Sequence, residues 1–162
     1  YKPGDTVLFE DMIENTSIRE IDNLKVRTLR DDDFFVHLCS HIYKEATTLP
    51  WVEMMRDMTL YKYADIYMLL SDMTETEIDA LFVRVKQTDT EKICAFTVAQ
   101  TTELFNFKNA YAVEKANGIL KNDPEFIHVI VSPKDKKTFV FTEKSVETRF
   151  FADDRKSLLE EV

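Results

Sequence analysis

Thr74-Glu75-Thr76-Glu77-Ile78-Asp79-Ala80-Leu81-Phe82-Val83-Arg84-Val85-Lys86 is the stretch that decides how this chain is read. Thr74 and Glu77 have the spacing of a capping box. The threonine hydroxyl can take the Glu77 backbone N–H, and the glutamate can reach back to the Thr74 N–H. Met73 and Ile78 hold the two positions of a hydrophobic staple around that start. Ile78, Leu81, Phe82 and Val85 then recur at helical spacing, with Asp79, Arg84 and Lys86 on the solvent side. A chain that specifies a helix start this completely is read as a helical protein.

The segments before it extend that reading. Asp31-Asp32-Asp33 opens a helix expected to run to about Thr47, because carboxylates suit the unsatisfied N–H groups of a first turn. Phe34, Phe35, Leu38 and Ile42 are its expected buried stripe. Pro50 suits the first turn of the next helix, with Val52, Met55 and Met58 on its apolar face. Thr59 starts another, running through Leu70, with Leu60, Tyr63, Tyr67 and Leu70 at helical spacing. Together 24–92 is expected to form a helical core region. At its front, Leu24-Lys25-Val26-Arg27-Thr28-Leu29 alternates as a half-buried strand does, and Val7-Leu8-Phe9 is a candidate hairpin partner.

Beyond the capped helix the pattern mixes. Lys92 to Thr101 is ambiguous, and its β-branched residues tilt it toward a strand. Asn106 or Phe107 to Lys121 reads as a helix with Ala110, Val113 and Ala116 as a small-residue face. Phe126–Val131 and Thr138–Thr142 are strands joined by a compact turn at Ser132 to Lys137, where Pro133 pre-sets one dihedral. This gives an expected β-hairpin over 126–142. A short helix is expected over Asp154 to Glu161. The fold class is therefore α+β, a predominantly helical domain with a small antiparallel β-hairpin or sheet, and 1–162 reads as one domain.

Composition limits the functional classes. The formal net charge is -9, which repels nucleic acids and anionic membranes unless basic residues cluster locally. The densest basic run is Lys134, Lys136 and Lys137, and acids and bases balance from Lys134 to Val162. With Gly4 and Gly118 as its two glycines, the chain has no glycine-rich phosphate loop or dinucleotide fingerprint. No run approaches the ~20 apolar residues of a membrane span. The chain opens at Tyr1 rather than Met and is read as trimmed before that point. Cys39 and Cys94 belong to no CxxC pattern and suit a cytoplasmic protein.

Chemistry-bearing residues are sparse. His37, His41 and Glu45 lie four apart, a spacing that puts them along one line of a helix and can bind zinc when the geometry is right. The same spacing also suits ordinary surface polarity. A thiol nucleophile at Cys39 or Cys94 would need a base brought by the fold. Glu75, Glu77 and Asp79 are accounted for by capping and solvation. No pattern for a catalytic residue, cofactor or metal stands out.

One resemblance adds to this. Leu24-Lys25-Val26-Arg27-Thr28-Leu29, a following helix, Asp65-Ile66, and Glu77 through Lys86 together resemble the assembly proteins of the baseplate hub in contractile-tailed phages. Glu77 and Asp79 match acidic positions of that family, and Phe82 matches an aromatic one. Val85-Lys86 stands where leucine–arginine is expected. The resemblance implies a non-enzymatic tail component or chaperone, cytoplasmic or virion-associated, that binds another tail protein. The expected function is then a protein-binding or assembly factor with contacts at Trp51, Tyr61, Tyr63, Tyr67, Glu77, Asp79 and Arg84. Two alternatives stay open: an acidic inhibitor or immunity-like protein blocking a basic target, and a small hydrolase whose site forms only in the fold.

Overall fold

The computed structural model describes residues 5–162. Eight α-helices and five strands follow one another within them: α1 (Asp5–Glu14), β1 (Ser17–Ile21), β2 (Leu24–Thr28), α2 (Asp31–Ala46), α3 (Leu49–Glu53), α4 (Leu60–Ser71), α5 (Glu75–Gln87), α6 (Glu91–Phe105), α7 (Ala110–Leu120), β3 (Val129–Val131), β4 (Thr138–Phe141), α8 (Val146–Phe150) and β5 (Leu159–Glu161). The fold is α+β, with a two-stranded and a three-stranded antiparallel sheet.

The α5 start carries the capping box in full. Thr74 N donates to Glu77 Oε2 at 2.8 Å, and Glu77 N donates to Thr74 Oγ1 at 3.3 Å. Ile78, Leu81 and Val85 are buried, as their spacing requires. Each such side chain removed from water contributes roughly 1.5–3 kcal/mol. Helices α2 and α4 also fall where expected. In α2 the buried stripe is Phe35, Val36, Cys39 and Ile42, while Phe34 is exposed and Leu38 half-buried.

The centre of the molecule is α6, which packs against α2, α4, α5, α7 and α8. The tilt of Lys92–Thr101 toward a strand is therefore wrong, for two physical reasons. A helix buried on nearly all sides has no polar stripe, so its sequence lacks helical periodicity. Its β-branched threonines also satisfy themselves within the helix: Thr97, Thr101 and Thr102 each donate to the carbonyl four residues back, at 3.1, 2.8 and 2.8 Å.

The other corrections concern strands and short helices. Val7-Leu8-Phe9 lies within α1, and β2 pairs instead with β1. Asp22 and Asn23, at φ 49° and 66°, form the two-residue turn between them. Both strands project into solvent, with Ile18 and Leu24 each 68% exposed, so β2 is not half-buried. Helix α3 ends at Glu53, leaving Met55 and Met58 beyond it. In α7 the buried face is Ala112, Ala116 and Leu120 rather than Ala110, Val113 and Ala116. Phe126 to His128 belongs to a 3-10 turn (Pro124–His128), which shortens the first strand of the C-terminal hairpin to Val129–Val131. The expected last helix is a 3-10 turn (Lys156–Leu158) and then β5, which pairs along β4. Leu158 and Leu159 point their apolar surface at Val52, Ile130 and Phe141, a second small core. Among the described residues no helix is long and apolar enough to cross a membrane.

Candidate functional site

The most polar concavity described lies where α1, the start of α2 and the outer face of α5 meet. Asp11, Asn15, Arg30, Asp32, Asp33, Arg84 and Gln87 line it, with Ala80 and Val83 as its apolar floor, and it encloses about 390 Å³. Helix geometry places each member. The three aspartates at the α2 start point in different directions, as successive residues on a helix must. Asp31 pairs outward with Arg19, Asp32 Oδ2 takes Arg30 Nη2 at 2.6 Å, and Asp33 turns inward and is 1% exposed. Arg84 reaches in from α5. Its Nε donates to Asp33 Oδ1 at 2.7 Å, and its Nη2 pairs with Asp11 on α1 as well. Asp33 Oδ2 is buried and has no hydrogen-bond partner.

With its five ionised groups the cleft carries one net negative charge. Arg84 is balanced by two carboxylates and fixes α1 and α2 to α5. Arg30 is about half exposed, and with the exposed Gln87 amide it gives the cleft its solvent-facing donors, while Asn15 Nδ2 is taken by the carbonyl and carboxylate of Asp11 at 2.9 and 2.8 Å. Among the described residues, no group of three or more His, Cys, Asp and Glu side chains is set to hold a metal ion. The cleft's carboxylates already lie against arginines, so they make no metal centre of their own.

The contact residues expected from sequence do not converge. Tyr63 is fully buried and donates to Gln100 Oε1 at 2.6 Å. Tyr67 is half-buried beside Phe105 and Phe107, and Trp51 is half-buried on α3. Tyr61 is exposed, one residue before Tyr63's neighbour Lys62. Glu77 is spent on its cap, whose N–H bonds hold its carboxyl below the usual range. Asp79 accepts from Lys115 at 2.7 Å and from Tyr111 at 2.8 Å, which lowers its carboxyl too. Arg84 alone enters the cleft.

The histidine line is closed by a lysine. Lys62 Nζ sits 2.5 Å from Glu45 Oε2 and 3.2 Å from His41 Nδ1, so an ammonium already occupies the position between them. His37 is exposed, its ring 6.2 Å from that of His41. Both thiols are unpaired and fully buried, and burial, with Cys94 alongside, pushes the Cys39 thiol up. A group so strongly protonated is a poor nucleophile.

Residues 2–106 match the family model described as "Uncharacterised nucleotidyltransferase". The chain belongs to that family. The matched stretch covers α1 through α6 and contains every residue of the polar cleft. No curated protein and no solved structure matches the chain. Membership in a nucleotidyltransferase family overturns the resemblance to phage baseplate hub proteins, and with it the expected non-enzymatic assembly role. Neither a tail chaperone nor a small hydrolase is supported. The misreading has a physical origin: an amphipathic capped helix such as α5 recurs in unrelated folds, so its string of residues has little power to name one.

The cleft residues that the sequence does not single out are Asp11, Asn15, Arg30 and Gln87. Asp32 and Asp33 belong to the run expected at the start of α2, and helix-start chemistry does not account for a side chain as buried as that of Asp33. The pairing partner, Arg84, lies 51 residues away. The one local hint was a run of three aspartates where a single N-cap acceptor suffices.

Proposed function

We propose that this chain works in an enzyme that transfers a nucleotidyl group, and that its polar cleft handles the polyphosphate of the nucleotide. The observation that carries the reading is the family match over residues 2–106. In such a reaction an acceptor oxygen forms a bond to the α-phosphorus of a nucleoside triphosphate. The bond from that phosphorus to the bridging oxygen breaks, pyrophosphate leaves with the electron pair, and the acceptor's proton passes to a base. Negative charge builds on phosphate oxygens throughout, so fixed cationic donors lower the barrier.

Glycine-rich loops meet phosphates with backbone N–H groups. With Gly4 and Gly118 as its two glycines, this chain leaves that work to side chains. Arg30, half exposed and paired among the described residues with Asp32 alone, is the cleft's exposed guanidinium, and Gln87 adds a neutral donor. Arg84 holds the cleft's shape because two carboxylates already balance it. The unpaired buried thiols and the acidic surface fit a cytoplasmic location, where nucleoside triphosphates are at hand.

Incubation with each of the four α-labelled nucleoside triphosphates, a divalent cation and a fraction of cellular acceptors tests the reading. Label should move to an acceptor with one pyrophosphate released per transfer. Failure with all four nucleotides contradicts it.

A further inference from the structure

Arg149 is the largest fully buried side chain described, at 1% exposure. Its guanidinium carbon lies 4.4 Å from the centre of the Phe141 ring, which covers one face of the group. Nε and Nη2 have no hydrogen-bond partner, and among the described residues no carboxylate comes within ion-pair distance. These two nitrogens form one edge of the guanidinium fork, the edge that meets two oxygens of a single oxyanion side by side.

The neighbouring acids are occupied. Asp57, itself 2% exposed, pairs with Arg155 at 2.6 Å. Glu103 Oε2 accepts from Val146 N at 2.9 Å, and Glu143 Oε1 accepts from Ser145 N at 2.8 Å, so both serve the start of α8. His128, 7% exposed, also has an unpartnered nitrogen, Nδ1. Arg149, Arg155 and Asp57 together carry one net positive charge in the interior, and none of these acids bonds the Nε or Nη2 of Arg149. Burying such a charge without a partner is strongly unfavourable.

We infer that Arg149 anchors a binding site for a small oxyanion, the phosphate or carboxylate group of a small molecule. The fork donates to two of its oxygens side by side. Arg149 and His128 both lie outside the residues of the family match, so this site is independent of the polar cleft.

Inorganic phosphate and acetate, each titrated into the full chain against chloride at matched ionic strength, provide the probes. A saturable rise in melting temperature is expected with one or both, absent in Arg149→Met. In Arg149→Lys, which keeps the charge but loses the fork, apparent affinity should fall at least tenfold. Tighter phosphate binding points to a phosphate-bearing ligand, and tighter acetate binding to a carboxylate. A crystal structure grown with the better anion should place its oxygens on Nε and Nη2, a result that does not depend on either variant folding. The proposal is overturned if neither anion gives a saturable shift. It is equally overturned if the crystal shows waters, Glu103 or Glu143 on those nitrogens.

Discussion

Arg84 and Arg149 are two arginines drawn in from the surface, and their surroundings are opposite. Arg84 lies between Asp11 and Asp33, each within ion-pair reach. Arg149 lies against the Phe141 ring with Nε and Nη2 unpartnered. The first is a finished structural pair that shapes the cleft by tying α1 and α2 to α5. The second is a charge whose Nε and Nη2 no surrounding side chain bonds. The difference teaches that burial of an arginine alone says nothing of its role. What separates scaffold from ligand site is whether the guanidinium's hydrogen-bonding edge is spoken for.

The largest expected effect breaks the comparison directly. Arg84→Met strands Asp33, a carboxylate 1% exposed whose Oδ2 is already unpartnered. Urea denaturation should show a loss of about 3–5 kcal/mol, the usual consequence of leaving a buried charge unpaired. Arg149→Met removes an unpaired charge instead, so in anion-free buffer the same measurement should show no loss of stability. Equal losses at both sites would erase the distinction.

A smaller effect concerns pH and sharpens the Arg149 side. Burial, helped by the charges of Arg149 and Lys144 and opposed by Glu125, pulls His128 down to about 4. Unfolded, a histidine titrates near 6.5. Between those values the unfolded chain holds the extra proton, so this contribution to stability is present above about pH 6.5 and is lost as pH falls toward 4. Denaturation midpoints should decline across that window, and His128→Gln should flatten the decline. An unchanged slope in the variant would place the acid sensitivity elsewhere.

Two neutral contacts set the lower end. Tyr63→Phe leaves Gln100 Oε1 without its buried donor and should cost about 1–2 kcal/mol in the same assay. Thr74→Ala removes the exposed half of the capping box and should cost about 1 kcal/mol. If Thr74→Ala proved as costly as Arg84→Met, the cleft's ion pairs would not be what holds these helices together.

The sequence is legible where structure is decided locally. The Thr74–Glu77 box, the first-turn aspartates of α2 and Pro50 at the start of α3 all act within one helical turn, and all three helices start where expected, though α3 ends at Glu53, short of Met55 and Met58. Helix α6 is illegible by the same logic, because burial on every side removes the periodicity that marks a helix. The helix expected over Asp154 to Glu161 does not form, because β5 exists through its pairing with β4 rather than through a strong pattern of its own. The cleft escaped because its members come from three helices, with Asp33 and Arg84 joined only by the fold. Arg149 was invisible as a site for that reason too: what marks it is an absence of partners, which a sequence cannot display.

The proposed work of the cleft is to handle a nucleoside triphosphate. Its most direct test is calorimetric titration of the chain with each nucleoside triphosphate and a divalent cation, beside Arg30→Ala, an exposed substitution that leaves the Asp11–Arg84–Asp33 ties intact. Saturable binding of at least one triphosphate is expected, weakened about tenfold or more by Arg30→Ala. Binding that is unchanged in the variant, or absent in the native chain, would contradict it.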